Sequence, residues 1–132
     1  MKFLLDTDTV VSLLRGNKLV AGSIDKVGIS SCYISEITKA ELLYGVELSR
    51  RKGGKSDALL VDRLLDTFET VPVGGSLSLY ASIKADLVCS GTLIEDFDLL
   101  IGCTALANSF VLVSGNIAHM SRIKGLTVEN WM

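Results

Sequence analysis

A short apolar run that recurs along the chain, each time answered by a helical pattern, constrains this fold more than any other feature. The first run is Phe3-Leu4-Leu5, cut off by Asp6-Thr7-Asp8-Thr9. Others fall at residues 29–34, 70–73 and 110–113, and a last brief one covers 126–129. Strands separated by helices over the whole length mean βα units, hence a parallel sheet with helices on both faces. In such sheets ligands sit just outside the carboxyl ends of the strands. Asp6, at the end of the first run, is therefore in the right place for chemistry.

The helices follow from periodicity and from their start and stop signals. Residues 7–15 read as a helix with Thr7 or Asp8 as N-cap and Gly16 as its stop. Residues 17–26 read as a second, closed by Gly28. Ser35 caps a long third helix with Glu36 in its first turn. In it Ile37, Glu41, Tyr44 and Leu48 fall on one face, which sets Glu41 into an apolar stripe. After Gly53-Gly54, residues 55–68 read as a helix with Leu59, Leu60, Leu64, Leu65 and Phe68 facing in. Helices over 77–90 and 96–108 and a short turn over 117–123 complete the pattern.

Length and composition exclude several classes. A chain of 132 residues suits one domain, here 1–132, and 48% hydrophobic residues rule out disorder. Mean hydropathy is positive. Yet the most apolar stretch, 99–113, is interrupted by Thr104, Asn108 and Ser109, and a span needs about 20 apolar residues. Asp6 ends the first apolar run too soon for a signal peptide. A cytoplasmic chain with no membrane partner is expected. Cys32, Cys89 and Cys103 form no CxxC pair, which argues against a zinc site or a disulfide framework and for small buried hydrophobes. A net charge of −2 excludes a basic nucleic-acid binder as a whole. A polyanion would need a local patch, or metal ions to offset the acidic groups.

Three carboxylates stand where a purely structural protein would avoid them: Asp6, Glu41 and Asp98. A buried unpaired carboxylate shifts its pKa or finds a partner. Lys39 and Arg50 are poorly placed to pair with Glu41, and Gly102 leaves room one turn above Asp98. Bland readings compete. Glu95, Asp96 and Asp98 at a helix start suit the macrodipole. Asp8 reads as a helix cap, and Asp25, Asp57, Asp62, Asp66 and Asp86 read as solvated surface. An acid cluster without His or Cys selects a hard cation, Mg2+ or Mn2+, which binds oxygen ligands and phosphate. His119 reads as a surface residue, or one that supports the acids from behind, rather than a general base. Arg50, Arg51, Lys52 and Lys55 form the one basic cluster, suited to RNA phosphates or simply to a helix C-terminus.

Four segments together, LLDTD, ISEITKAELLYGVE, EDFDLLIGCTALA and VLVSGN with RIKGLTVENW, resemble a PIN domain, and within that family the VapC-type toxins of bacterial toxin–antitoxin modules. The resemblance covers essentially the whole chain. It implies a three-layer α/β/α fold around a central, mainly parallel sheet. It implies an endoribonuclease dependent on Mg2+ or Mn2+ that cuts an RNA phosphodiester, in tRNA or rRNA, with an activated water. Asp6, Glu41 and Asp98 then fall on the family's metal-binding and catalytic acids, and Asn116 on a fourth position. Thr7, Ser114 and Asp96 flank these and are expected to support the acids or touch substrate. A homodimer is implied, with a cognate antitoxin that lies over the acidic groove and builds a larger hetero-oligomer. The chain departs from the family pattern at Asp8, at Ser114-Gly115-Asn116, at Gly102-Cys103 and at Met120. None of these removes an acid, so activity is expected to survive, although Gly115 loosens its loop.

Two alternatives compete. Asp6-Thr7-Asp8 also fits the short nucleophile motif of haloacid-dehalogenase-like phosphatases, with Asp6 as nucleophile and Asp8 as acid/base. That enzyme needs a later acidic pair after a strand, whereas Glu95-Asp96-Phe97-Asp98 starts a helix. A catalytically weak PIN domain that only binds a partner is the other, and the presence of all three acids speaks against it.

Overall fold

The computed structural model describes every residue except Ser56. Among the described residues five strands form one all-parallel sheet: β1 (Phe3–Leu5), β2 (Cys32–Ser35), β3 (Glu69–Val71), β4 (Val111–Val113) and β5 (Val128–Glu129). Their order is β3-β2-β1-β4-β5. The chain thus leaves the central strand β1 in one direction, then returns to build β4 on its other side. The end of β1 against the end of β4 is the switch point where open α/β sheets place their ligands.

The helices are α1 (Thr7–Leu14), α2 (Lys18–Val27), α3 (Glu36–Arg51), α4 (Ala58–Thr67), α5 (Leu77–Ser90), α6 (Asp96–Ala107) and the single turn α7 (Ile117–Met120). Side chains alternate across a strand, and here that alternation divides two cores. Phe3, Leu5, Val111 and Val113 pack with Val10, Val20, Ile24, Leu42 and Leu64 of α1 to α4. Leu4 and Leu112 pack on the opposite face with Leu87, Leu99, Ile101, Met120 and Ile123. The sheet is buried on both sides, as the three-layer expectation requires. No helix among the described residues is long and apolar enough to cross a membrane.

Several local expectations are corrected. Residues 29–31 form a 3-10 turn, not the start of a strand, and β2 runs from Cys32 instead. The third strand stops at Val71, because Pro72 has no N–H for a ladder. The helix expected from residue 55 begins at Ala58, with Ser56 outside the described residues. Leu59 and Leu60 are exposed, and Val61, Leu64 and Phe68 carry the inward face of α4. Cys89 is exposed, unlike Cys32 and Cys103. The space at Gly102 does not lie over Asp98: a Cβ there would collide with Ile123 Cδ1. Gly102 is what lets α6 pack against the segment after α7.

Candidate active site

The carboxyl ends of β1 and β4 and the starts of α1, α3 and α6 surround an open cavity of about 550 Å3. Asp6, Asp8, Glu41 and Asp98 all line it, together with Thr7 and Asn116. Acids far apart in sequence meet because a parallel sheet gathers the ends of its strands on one edge.

Asp6 is the anchor. It is 4% exposed, and its backbone N–H donates to Val113 O at 2.9 Å. It is also the N-cap of α1, in place of the expected Thr7 or Asp8: Oδ1 accepts the Thr7 N–H at 2.8 Å. The buried Ser114 hydroxyl donates to Oδ2 at 2.7 Å, and the Asn116 N–H donates in turn to Ser114 Oγ at 3.0 Å. The Asp6 carboxyl is raised from 3.8 to about 7, chiefly by burial and further by the charges of Asp8 and Asp98, against the opposing hydrogen bonds from Ser114 and Thr7.

Glu41 is held by a chain of hydroxyls. Thr7 Oγ1 donates to Glu41 Oε1 at 2.8 Å. The Thr7 proton being spent there, Thr38 donates to Thr7 Oγ1 at 2.9 Å, and Ser35 donates to Thr38 Oγ1 at 3.4 Å. Ser35 Oγ also accepts the Thr38 N–H as N-cap of α3. The stripe reading of Glu41 is revised. Tyr44 on the same expected face is 65% exposed, and Thr38 and Leu42 form the buried face of α3. Glu41 stands half-buried on the flank of that face, where it overlooks the cavity.

Asp98, on the first turn of α6, is half-buried and accepts no hydrogen bond among the described residues. Its carboxyl is raised by burial and by the charges of Glu95, Glu41 and Asp8, while exposed His119 pulls the other way. Asp96 does not join the site. Lys84 and Tyr80 hold it, at 2.7 Å each, outside the cavity wall. Ser114 lies buried behind Asp6 rather than on the cavity surface.

Asp8 is no helix cap. Its Oδ2 accepts the Gly115 N–H at 3.0 Å, so it ties the loop after β4 to α1. Gly115 is closely covered there: a Cβ would meet Met132 Cε, the far end of a flexible side chain at the cavity wall, which would have to shift. Of the expected basic cluster, Arg50 and Arg51 are both paired with Glu47 at 2.6 and 2.9 Å. None of that cluster lines the cavity. Arg15 does, and sequence reading passed over it because it looked like the polar end of a short helix.

The donor set is all oxygen and strongly anionic. Among the described residues none of its carboxylates has an ion-pair partner. Nor do any three Asp, Glu, His or Cys side chains stand together in a ready-made cage for an ion. A doubly wound α/β domain places its ligand site at such a switch-point cleft.

Comparison with known proteins places it among a family. The sequence pattern of the PIN domain matches residues 3–126. Ribonuclease VapC2 of Haemophilus influenzae is 31% identical over 134 residues, covering 100% of this chain and 99% of that protein. The tRNA(fMet)-specific endonuclease VapC of Salmonella typhimurium is 26% identical over 132 residues, covering 99% and 98%. Among solved structures, a chain of VapBC2 from Rickettsia felis, bound to a DNA fragment from their promoter, matches with a TM-score of 0.89 at 28% identity and covers 100% of both chains. The chain belongs to the PIN-domain family, in its VapC branch. With that membership the phosphatase reading of Asp6-Thr7-Asp8 falls away, and the commitment of Asp8 to Gly115 agrees.

Proposed function

We propose that this chain is an endoribonuclease dependent on Mg2+ or Mn2+ and acts as the toxin of a toxin–antitoxin pair. The observation that carries this is the meeting of Asp6, Glu41 and Asp98 in one cleft with no cation paired to them among the described residues. Mg2+ keeps several waters and takes only one or two carboxylates, which suits a cleft that has oxygen donors but no closed cage. Asp6 and Asp98 would hold the ion, directly or through water. When bound, the ion supplies charge neutralisation at the phosphoryl oxygens and an acidified water.

The chain's own residues do the rest. Thr7 fixes the Glu41 carboxylate, which orients the attacking water and takes its proton. Ser114 fixes Asp6. Water adds to phosphorus, the P–O bond to the leaving ribose oxygen breaks, and that oxygen takes up a proton. Solved complexes of relatives carry the VapBC name. That supports a cognate antitoxin for this chain; its seat over the acidic cleft and a homodimer at the base of the assembly are further parts of the proposal. The substrate is proposed as tRNA or rRNA, in line with the named target of the Salmonella relative.

Incubating the purified chain with bulk tRNA and rRNA under a Mg2+ or Mn2+ titration, with new 5′ ends mapped, tests this. Cleavage that appears with the divalent ion and disappears with chelator is expected, and Asp6→Ala or Asp98→Ala should abolish it. Cleavage in chelator at the same rate sinks the metal reading. A parent chain that leaves both RNAs intact sinks the ribonuclease reading and favours a PIN domain that only binds a partner.

A further inference from the structure

We infer that Arg15 binds a backbone phosphate of the RNA next to the scissile one, and that the strand runs from the acidic cleft across α1 into the groove beside α3. This rests on the ribonuclease reading above and adds to it a path and a contact. The acidic cavity opens onto a second one of about 220 Å3, and Thr7, Val11, Arg15 and Glu41 line both. The second is floored by Leu14, Leu42, Val46 and Val61, an apolar surface against which a base or ribose can rest.

Arg15 stands at the junction and, among the described residues, is the only Lys or Arg that lines either cavity. It is exposed and, among the described residues, makes no ion pair and no side-chain hydrogen bond, although it shares the cavity linings with several acids. Four other cations of the chain are already engaged among the described residues. Arg50 and Arg51 share Glu47, Lys84 holds Asp96, and Arg122 donates to Leu93 O at 2.7 Å.

A polyanion that enters a cleft lined by four carboxylates is repelled unless cations meet it. The divalent ion serves the scissile phosphate. For the next phosphate, Arg15 is the cation that lines the path among the described residues, and a guanidinium suits phosphate by its fork of donors. A plain structural role, a cation near the C-terminal end of the α1 dipole, would act on stability alone.

The two roles separate in Arg15→Gln and Arg15→Lys. With the RNA that the parent chain cuts, bulk tRNA or rRNA, Arg15→Gln should raise KM about tenfold with kcat within about twofold. In an Asp98→Asn background, where RNA binds without being cut, the same change should reduce the slope of log affinity against log salt by about one. Arg15→Lys should keep the slope and recover part of the affinity. The inference is overturned if the parent cleaves RNA while Arg15→Gln keeps both KM and salt slope, or if the change only lowers the melting temperature. Should the parent cleave neither RNA, the ribonuclease reading fails first and this one with it.

Discussion

Two corners of the same cleft are built on opposite plans. The Asp6–Glu41 wall is wired: each carboxylate accepts hydrogen bonds from hydroxyl or backbone groups that are themselves anchored in strand ends and helix caps. Asp98 faces it from α6, half-buried, and takes no hydrogen bond among the described residues. A site assembled this way has one preorganised face and one that adjusts to what binds. The wired face also carries the electrostatic load, because Asp6 is the buried one.

The largest test neutralises each corner in turn. Asp6→Asn and Asp98→Asn should both cut RNA cleavage by about a thousandfold or more, the scale for a group that acts on the reacting phosphate. Their effects on stability should differ. The unfolded chain releases the Asp6 proton near 3.8, while the folded chain holds it to about 7. The folded state therefore loses stability as pH rises through that window, on the order of 4 kcal/mol in all without metal. Urea unfolding in chelator at pH 4.5 and 7.5 should show that slope in the parent and a much flatter one in Asp6→Asn. Asp98→Asn should keep most of the slope and lose the smaller part that comes from its own raised carboxyl and from its charge on Asp6. Added Mg2+ should restore the parent at the higher pH, and an equal response from both variants would erase the distinction between the corners.

A smaller test cuts the wiring and leaves the acids. Ser114→Ala removes the buried donor to Asp6, and Thr7→Val the donor to Glu41. Each should lower kcat by about tenfold to a hundredfold, the range for groups that orient metal-binding side chains. The Ser114 hydroxyl holds the Asp6 proton affinity down, so its loss should also move the acid limb of the pH–rate profile upward. Unchanged kinetics in both variants would mean that the wiring serves folding alone.

The smallest effects come from the two close-packed glycines. In Gly102→Ala the new methyl meets Ile123 Cδ1 inside the second core, with Leu126 and Met120 close behind. About 1–3 kcal/mol of stability should be lost, read from the urea midpoint. In Gly115→Ala the obstruction is the flexible end of Met132, with Asp8 Oδ2 at 3.0 Å. Its cost should stay below about 1 kcal/mol, with a modest fall in activity as the Asp8 contact to the loop loosens.

Much of this was legible without coordinates. The three acids of the cleft, the alternation of strand and helix, and the cap at Ser35 are written in residue type and local spacing. Other features were not. Asp8 looked like a cap because caps are judged from the next few residues, whereas its partner is Gly115, more than a hundred positions away. Leu59 and Leu60 read as core because periodicity alone does not say which arc of a helix meets the sheet.

What the sequence determines by itself is therefore a parallel α/β chain with acids at the ends of its elements. The patterns that encode this, period two, period 3.6 and capping, are all local. The strand order β3-β2-β1-β4-β5 was decided only in three dimensions. That order sets the loop after β4 beside the loop after β1. From it follow the hydroxyl that meets Asp6, the backbone amide that claims Asp8 and the single arginine left facing the cleft. Those are contacts between distant segments, and packing two cores against one sheet is what selects them.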